Sequence, residues 1–155
     1  MAVEPSYVKL ISELQIKQGD TLLGPTFIVR HPENIDLNTS PGVTAFAEVR
    51  DQTDTLICRW VFTDSSLTFQ VGSGTPVSYT RPNFYVQYVD KDGTADSKAA
   101  KIALLIEEAD SALLSPAAEL TVAVKFRFPW ASGNTDDLTF YSGKACIIKR
   151  GADGA

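Results

Sequence analysis

The sequence is poor in positive charge. It contains 14 lysine and arginine residues against 19 acidic residues, and its net charge is −5. A nucleic-acid partner requires a basic footprint that neutralises phosphates, and this sequence offers only the small group Lys144, Lys149 and Arg150. Because the overall charge repels phosphate, we expect no nucleic-acid partner.

Long apolar segments are missing as well. No apolar run approaches the roughly 18 residues that a membrane-spanning helix needs. The first residues, MAVEPSYVKLISELQ, lack the charged region and the continuous apolar region of a secretory signal. The sequence therefore predicts a soluble protein that is made in the cytosol and has no membrane contact.

Cysteine and histidine are scarce. The two cysteines, Cys58 and Cys146, lie inside apolar strand patterns, where a free cysteine behaves as a small hydrophobe. We expect free thiols in a reducing cytosol, and a disulfide only if the two strands are neighbours. His31 is the only histidine, and no GxSxG or comparable motif supplies it with a nucleophile. The sequence predicts no catalytic residue, and so no enzyme.

Two polar segments resemble ligand-binding loops only in part. Asp90, Asp92 and Asp96 have the spacing of calcium ligands, but Ala95 and Lys101 stand where an EF-hand loop needs glycine and glutamate. A hairpin turn at Asp92-Gly93 explains the same residues. The second segment, GSGTP from residue 72 to 76, lacks the GxxxxGK[ST] pattern of a phosphate-binding loop. We therefore predict no metal site and no cofactor.

Strict alternation of apolar and polar side chains is the clearest pattern in the sequence. In Glu119–Phe128, ELTVAVKFRF, every second residue from Leu120 onward is apolar, which is typical of a half-buried strand. Turn-forming pairs such as Gly24-Pro25 separate the runs. Similar runs are Glu13–Lys17, Thr26–Arg30, Val43–Arg50, Thr55–Thr63, Ser66–Val71, Phe84–Val89, Leu138–Tyr141 and Lys144–Lys149. Many short strands with turns between them predict an all-β, antiparallel sandwich or barrel.

The chain length fits one such unit. A chain of 155 residues with 44% hydrophobic and 21% charged side chains is typical of a globular domain. We predict a single β-sandwich domain over residues 1–150 and a flexible tail over residues 151–155, because GADGA is too small and polar to pack.

The segment Ser97–Leu114 allows two interpretations. Its composition and the spacing of Ile102, Leu105 and Ala109 favour a helix, whereas Ile102, Leu104 and Ile106 also alternate as in a strand. The second interpretation is a strand followed by a short helix near residues 107–114.

Aromatic residues form another candidate surface. Rings can stack on sugars, although they are also common in sandwich cores and at protein interfaces. Trp130, in a turn just past a strand, is the best single candidate for an exposed contact. The full set is Tyr79, Phe84, Tyr85, Tyr88, Trp130, Phe140 and Tyr141.

The segment KQGDT, residues 17–21, could be a ligand site or a corner between two strands. Glycine lets the backbone turn, and the oxygens of Asp20 and Thr21 can accept from exposed amides, so we interpret it as a corner.

The order of these parts resembles a known family. KQGDT is followed by an apolar strand, an IDL loop at residues 35–37, and VTAFAEVRD at residues 43–51. Lys101–Phe128 and the closing LTFYSGKACIIK, residues 138–149, continue the likeness, with Gly143 at a hairpin turn. The sequence resembles the N-terminal domain of phage upper-baseplate proteins, a small immunoglobulin-like domain of tailed-phage structural proteins.

This resemblance implies an antiparallel immunoglobulin-like β-sandwich with one short helix near residues 107–114, which favours the second interpretation of Ser97–Leu114. It implies a non-enzymatic virion component of the tail, baseplate or neck, made in the host cytoplasm. Such a protein contacts other virion proteins and copies of itself as a homo-oligomer in a ring. The alternatives are a capsid decoration or head-fibre protein, and a carbohydrate-binding module that recognises a host surface. Candidate contact loops are His31–Gly42, Gly72–Asn83 and Pro129–Asp137.

Overall fold

The computed structural model describes residues 9–30, 37, 44–63, 66–80, 85–89, 95–129 and 135–149. Ten strands and one short helix lie in these ranges, so the predicted all-β class is confirmed. In chain order they are β1 (Lys9–Lys17), β2 (Leu22–Arg30), β3 (Thr44–Arg50), β4 (Leu56–Phe62), β5 (Ser66–Val71), β6 (Val77–Thr80), β7 (Tyr85–Val89), β8 (Ala95–Ile106), α1 (Glu108–Ser111), β9 (Ala117–Pro129) and β10 (Thr135–Ile148).

The strands form two sheets of unequal size. The large sheet has the order β1-β10-β9-β3-β4-β5-β6, and the small sheet has the order β2-β8-β7. All pairs are antiparallel except β1 and β10, which run parallel. The large sheet is therefore mixed, and the prediction of a purely antiparallel fold is wrong at this edge. The reason is that the chain passes from β1 in the large sheet to β2 in the small sheet, so β1 has no hairpin partner beside it.

Alternation along the strands builds one core between the sheets. On β3 and β9 every second side chain is buried, including Ala47, Val49, Val122 and Val124. Buried residues of the small sheet, among them Ile102, belong to the same cluster. The two sheets therefore share one hydrophobic core.

Two contacts tie the sheets together across this core. The indole Nε1–H of Trp60 on β4 donates to the carbonyl of Leu105 on β8 at 2.9 Å. The rings of Phe27 on β2 and Tyr141 on β10 lie 3.9 Å apart between centroids, at an interplanar angle of 50°. Since Trp60 is fully buried, its hydrogen bond fixes the position of β4 relative to β8.

The segment Ser97–Leu114 follows the strand-plus-helix interpretation, which is confirmed. Strand β8 continues to Ile106, and α1 covers only Glu108–Ser111. Along the end of β8, Ile102, Leu104 and Ile106 are fully buried while Lys101 is exposed. Burial with a period of two therefore overrides the helix-forming composition.

Two predicted breaks lie inside continuous strands. Gly24-Pro25 was expected to separate strands, but β2 passes through it with a register shift between Leu23 and Thr26. Gly143 was expected at a hairpin turn, but it pairs with Val122 within β10. At Gly24-Pro25 a bulge lets the strand absorb residues that do not suit regular pairing, whereas Gly143 pairs with β9 in regular register.

Candidate functional site

The alternation that builds the core leaves a second face of the large sheet pointing away from the small sheet. Strands β3, β4, β9 and the start of β10 contribute side chains to this face. Neighbouring strands place them directly opposite each other, as with Glu48 and Arg59, or Arg127 and Asp137. We call the following set the outer face: Phe46, Glu48, Arg50, Arg59, Val61, Lys125, Arg127 and Asp137.

Glu48 organises the cations at the centre of the outer face. Its Oε2 lies 2.5 Å from Arg59 Nη2 and 3.3 Å from Arg50 Nη2, and it accepts from Arg59 Nε at 2.7 Å. Burial alone would raise the pKa of Glu48, but the hydrogen bonds and charges of Arg59 and Arg50 outweigh it and hold the pKa below its ordinary value. Glu48 is therefore ionised at neutral pH and keeps both guanidinium groups in place.

A second ion pair lies on the β9–β10 side. Arg127 donates from Nε to Asp137 Oδ1 at 2.7 Å and from Nη2 to Oδ2 at 3.2 Å. This bidentate pair lowers the pKa of Asp137 and raises the pKa of Arg127. The Arg127 guanidinium also lies 5.3 Å from the centroid of the Phe46 ring. The arginine is therefore oriented by two partners before any ligand arrives.

The outer face is basic and shallow. Its four cations are offset by Glu48 and Asp137 and by Asp54, which lies 3.9 Å from Arg50, so the local excess is one positive charge, although the whole chain carries −5. Seven of the eight residues, all except Arg50, surround a depression of about 280 Å³. Guanidinium and ammonium groups around the half-buried Phe46 and Val61 can bind carboxylates beside an apolar contact. This chemistry suits a protein surface that carries acidic groups.

The KQGDT segment forms the corner that was predicted, between β1 and β2. Gly19 has a φ of +85°, a conformation that glycine adopts without strain. The amide of Asp20 donates to the Lys17 carbonyl at 3.1 Å. Gln18 Nε2 donates to the Leu114 carbonyl at 3.0 Å, and Ser111 Oγ donates to the Asp20 carbonyl at 2.7 Å. These last two hydrogen bonds therefore fix α1 and Leu114 to the corner.

Carboxylates and exposed leucines lie together where the corner between β1 and β2 meets α1. Leu23 is 74% exposed and Leu113 is 67% exposed. A cleft of about 500 Å³ runs beside Leu23 and Glu107, and part of its wall is Tyr79 on β6. We call the following set the acidic corner: Asp20, Leu23, Glu107, Glu108, Asp110 and Leu113.

Tyr79 anchors the acidic corner to the edge of the large sheet. Its hydroxyl donates to the Asp110 carboxylate and accepts from the Glu107 amide at 3.1 Å. Burial, together with the hydrogen bond to Asp110, raises the pKa of Tyr79 well above its ordinary value, so the hydroxyl stays protonated. The corner is therefore held at a fixed position relative to both sheets.

The structure brings together few of the residues that the sequence singled out. Tyr79 and Tyr141 are buried, so neither can stack on a sugar. The side chains of Phe84, Tyr85, Tyr88, Trp130 and Phe140 lie outside the described residues, as do His31, Asp90, Asp92 and the side chain of Asp96. Gly72–Pro76 forms the turn between β5 and β6.

The candidate contact loops are described only in part. Within His31–Gly42 only Leu37 is described, and it is fully buried. The described part of Gly72–Asn83 is the turn and β6, and that of Pro129–Asp137 is made of strand residues, with Asp137 on the outer face. The residues that sequence reasoning missed as a site are Glu48, Arg59, Lys125 and Arg127.

Both cysteines are free. Cys58 is buried on β4, and Cys146 is half-buried on β10, with β3 and β9 between their strands. Within the described ranges, no group of three or more His, Cys, Asp or Glu is placed to hold a metal ion, and no helix is long and apolar enough to cross a membrane. No model of a known protein family matches this chain, and no curated protein matches it in sequence.

Proposed function

We propose that this protein is a non-enzymatic building block of a tailed-phage particle, located in the tail, baseplate or neck, and that it acts through contacts with neighbouring virion proteins. The observation that carries the proposal is the outer face. It is a stiff sheet surface whose three arginines are already held by ion pairs, so binding a partner through them costs little side-chain entropy.

The shape and composition of the outer face support a protein partner. A depression of about 280 Å³ spread over four strands is too shallow to enclose a small molecule. Arginine and aromatic residues are enriched in protein interfaces, and Arg59, Arg127 and Phe46 lie together here. A broad face of this kind binds another surface.

The strand order supports an immunoglobulin-like fold. Variable-type immunoglobulin domains carry strands A, B, E and D in one sheet and G, F, C, C′ and C″ in the other. The small sheet has the order B-E-D in β2, β8 and β7, and the large sheet has the order G-F-C-C′-C″ in β10, β9, β3, β4 and β5. The first strand, β1, departs from this scheme because it pairs with β10 in the large sheet. In this scheme α1 lies at the E–F connection, and β6 extends the larger sheet by one strand. This agreement adds to the sequence resemblance to phage upper-baseplate domains.

Labelling of virus particles tests the proposal. Antibodies raised against the purified chain are applied to phage particles from a host that carries the gene, and gold-conjugated antibody is imaged by electron microscopy. We expect gold at the tail, baseplate or neck. Gold confined to the head would favour a capsid decoration or head-fibre protein. Particles that carry neither gold nor the chain in a Western blot would contradict the proposal.

A further inference from the structure

We infer that the outer face of one copy binds the acidic corner of a second copy, so that the protein associates with itself head to tail. The inference rests on the proposed function, because it names one partner of the same surface. The acidic corner is the segment that we expect on the outer face, because it has the opposite charge and exposed apolar side chains.

The two surfaces are complementary in charge. The outer face carries Arg50, Arg59, Lys125 and Arg127, and three carboxylates, Glu48, Asp137 and Asp54, offset part of this charge. The acidic corner carries four carboxylates, at Asp20, Glu107, Glu108 and Asp110. Opposite potentials of this kind steer two surfaces together and reject like-charged ones.

Each surface also has an apolar part within its charged part. Leu23 and Leu113 are exposed beside the carboxylates of the acidic corner. Phe46 and Val61 are half-buried between the cations of the outer face, and they pair with each other across β3 and β4. Contact between the two surfaces would remove exposed leucine side chains from water while it pairs the charges around them.

The two surfaces lie on opposite sides of the large sheet. Arg59 points outward from β4, whereas its neighbour Trp60 points inward and reaches Leu105 on β8. Glu107 and α1 directly follow that end of β8. The acidic corner of one copy therefore cannot contact the outer face of the same copy.

This arrangement determines the kind of assembly. A contact between two different surfaces is heterologous, and its repetition generates a ring if the rotation closes and a filament if it does not. A closed ring agrees with the homo-oligomeric ring that the sequence resemblance implies.

Charge exchange tests the inference on the full chain. Lys125→Glu reverses one charge on the outer face, and Glu108→Lys reverses one charge at the acidic corner. Both side chains are exposed, so both variants keep the wild-type circular dichroism. Ser73→Glu/Thr75→Glu, in the exposed turn between β5 and β6, adds the same negative charge as Lys125→Glu at residues that belong to neither surface.

Sedimentation velocity gives the readout. We expect wild-type protein to self-associate in low salt and to dissociate at about 0.5 M NaCl, where screening is strong. Each single reversal weakens association at least about tenfold. An equimolar mixture of the two reversed variants restores it, because the unchanged outer face of the Glu108→Lys variant then meets the unchanged acidic corner of the Lys125→Glu variant. The control variant associates as the wild type does.

Three results would overturn the inference: a wild-type protein that stays monomeric in low salt, a reversed variant that still associates normally, or a mixture that fails to assemble. Particle labelling separates these failures from failure of the proposed function. Labelled particles with a monomeric protein remove only the head-to-tail contact, and self-association without labelled particles removes only the virion role.

Discussion

Replacing Trp60 with phenylalanine tests how the two sheets are held together. Trp60 is fully buried on β4, and its indole donates to the Leu105 carbonyl on β8 at 2.9 Å. Phenylalanine keeps an aromatic ring near Phe69, whose centroid lies 5.3 Å from that of Trp60. The substitution therefore removes the hydrogen bond between the sheets while most of the packing remains.

The expected cost has two parts. Leaving the Leu105 carbonyl without its donor costs about 1–3 kcal/mol. The side chain also becomes smaller by about 40 Å³, and at about 24 cal/mol per Å³ of residual cavity this adds about 1 kcal/mol. We expect Trp60→Phe to lower the free energy of unfolding by about 2–4 kcal/mol.

Urea unfolding followed by far-ultraviolet circular dichroism measures this change without relying on tryptophan fluorescence. Phe69→Leu is the matched control, because Phe69 is buried in the same cluster and its side chain has no polar atom. This control should cost about 1 kcal/mol through lost volume alone. If Trp60→Phe costs no more than Phe69→Leu, the hydrogen bond does not stabilise the packing of the sheets, and the reasoning is refuted.

Three further predictions concern Tyr79 and the two cysteines. Tyr79→Phe removes the hydroxyl that contacts Asp110 and the Glu107 amide, and it should lower the free energy of unfolding by about 1 kcal/mol in urea titrations. Burial raises the pKa of the Cys58 thiol above its ordinary value of 9.0, so above about pH 9 only the unfolded chain loses this proton. Wild-type stability should therefore fall relative to Cys58→Ala by up to about 1.4 kcal/mol per pH unit, and parallel pH profiles would contradict this. Half-buried Cys146 should react with Ellman's reagent in the native protein, whereas Cys58 should react only after unfolding.

The alternation of apolar and polar residues along the sequence was enough to predict most strands. The alternation in Glu119–Phe128 placed Leu120, Val122, Val124 and Phe126 on the core side, and all four are buried. Alternation of apolar and polar residues indicates that one face of a strand is buried, because the pleat points successive side chains to opposite faces. Two signals failed: at Gly24-Pro25 a bulge accommodates the proline without ending the strand, and Gly143 pairs regularly with Val122 inside a long strand.

Strand pairing could not be predicted in the same way. The parallel alignment of β1 with β10 joins residues more than a hundred positions apart, such as Leu14 and Ala145. Nothing in either segment specifies the other, because both present the same alternating pattern. Register and partner are decided by the packing of the whole core.

The outer face was missed for the same reason. Alternation placed Arg59, Lys125 and Arg127 opposite the core side of their strands, but it did not show that β3 lies between β4 and β9. Only that order brings Glu48 beside Arg59, and Phe46 beside Arg127. Asp137 was assigned to a loop, and its pairing with Arg127 follows from the β9–β10 register.

Lysine footprinting of intact particles tests the central claim, that the outer face is a contact surface within a virion. Lys125 on the outer face and Lys101 on β8 of the small sheet are both exposed in the free chain. Free protein and purified particles are acetylated under identical conditions, and each lysine is quantified by mass spectrometry. We predict that Lys125 is labelled in the free protein and protected in the particle, while Lys101 keeps its reactivity. Equal labelling of Lys125 in both samples, or no peptide of this chain in the particle, would contradict the claim.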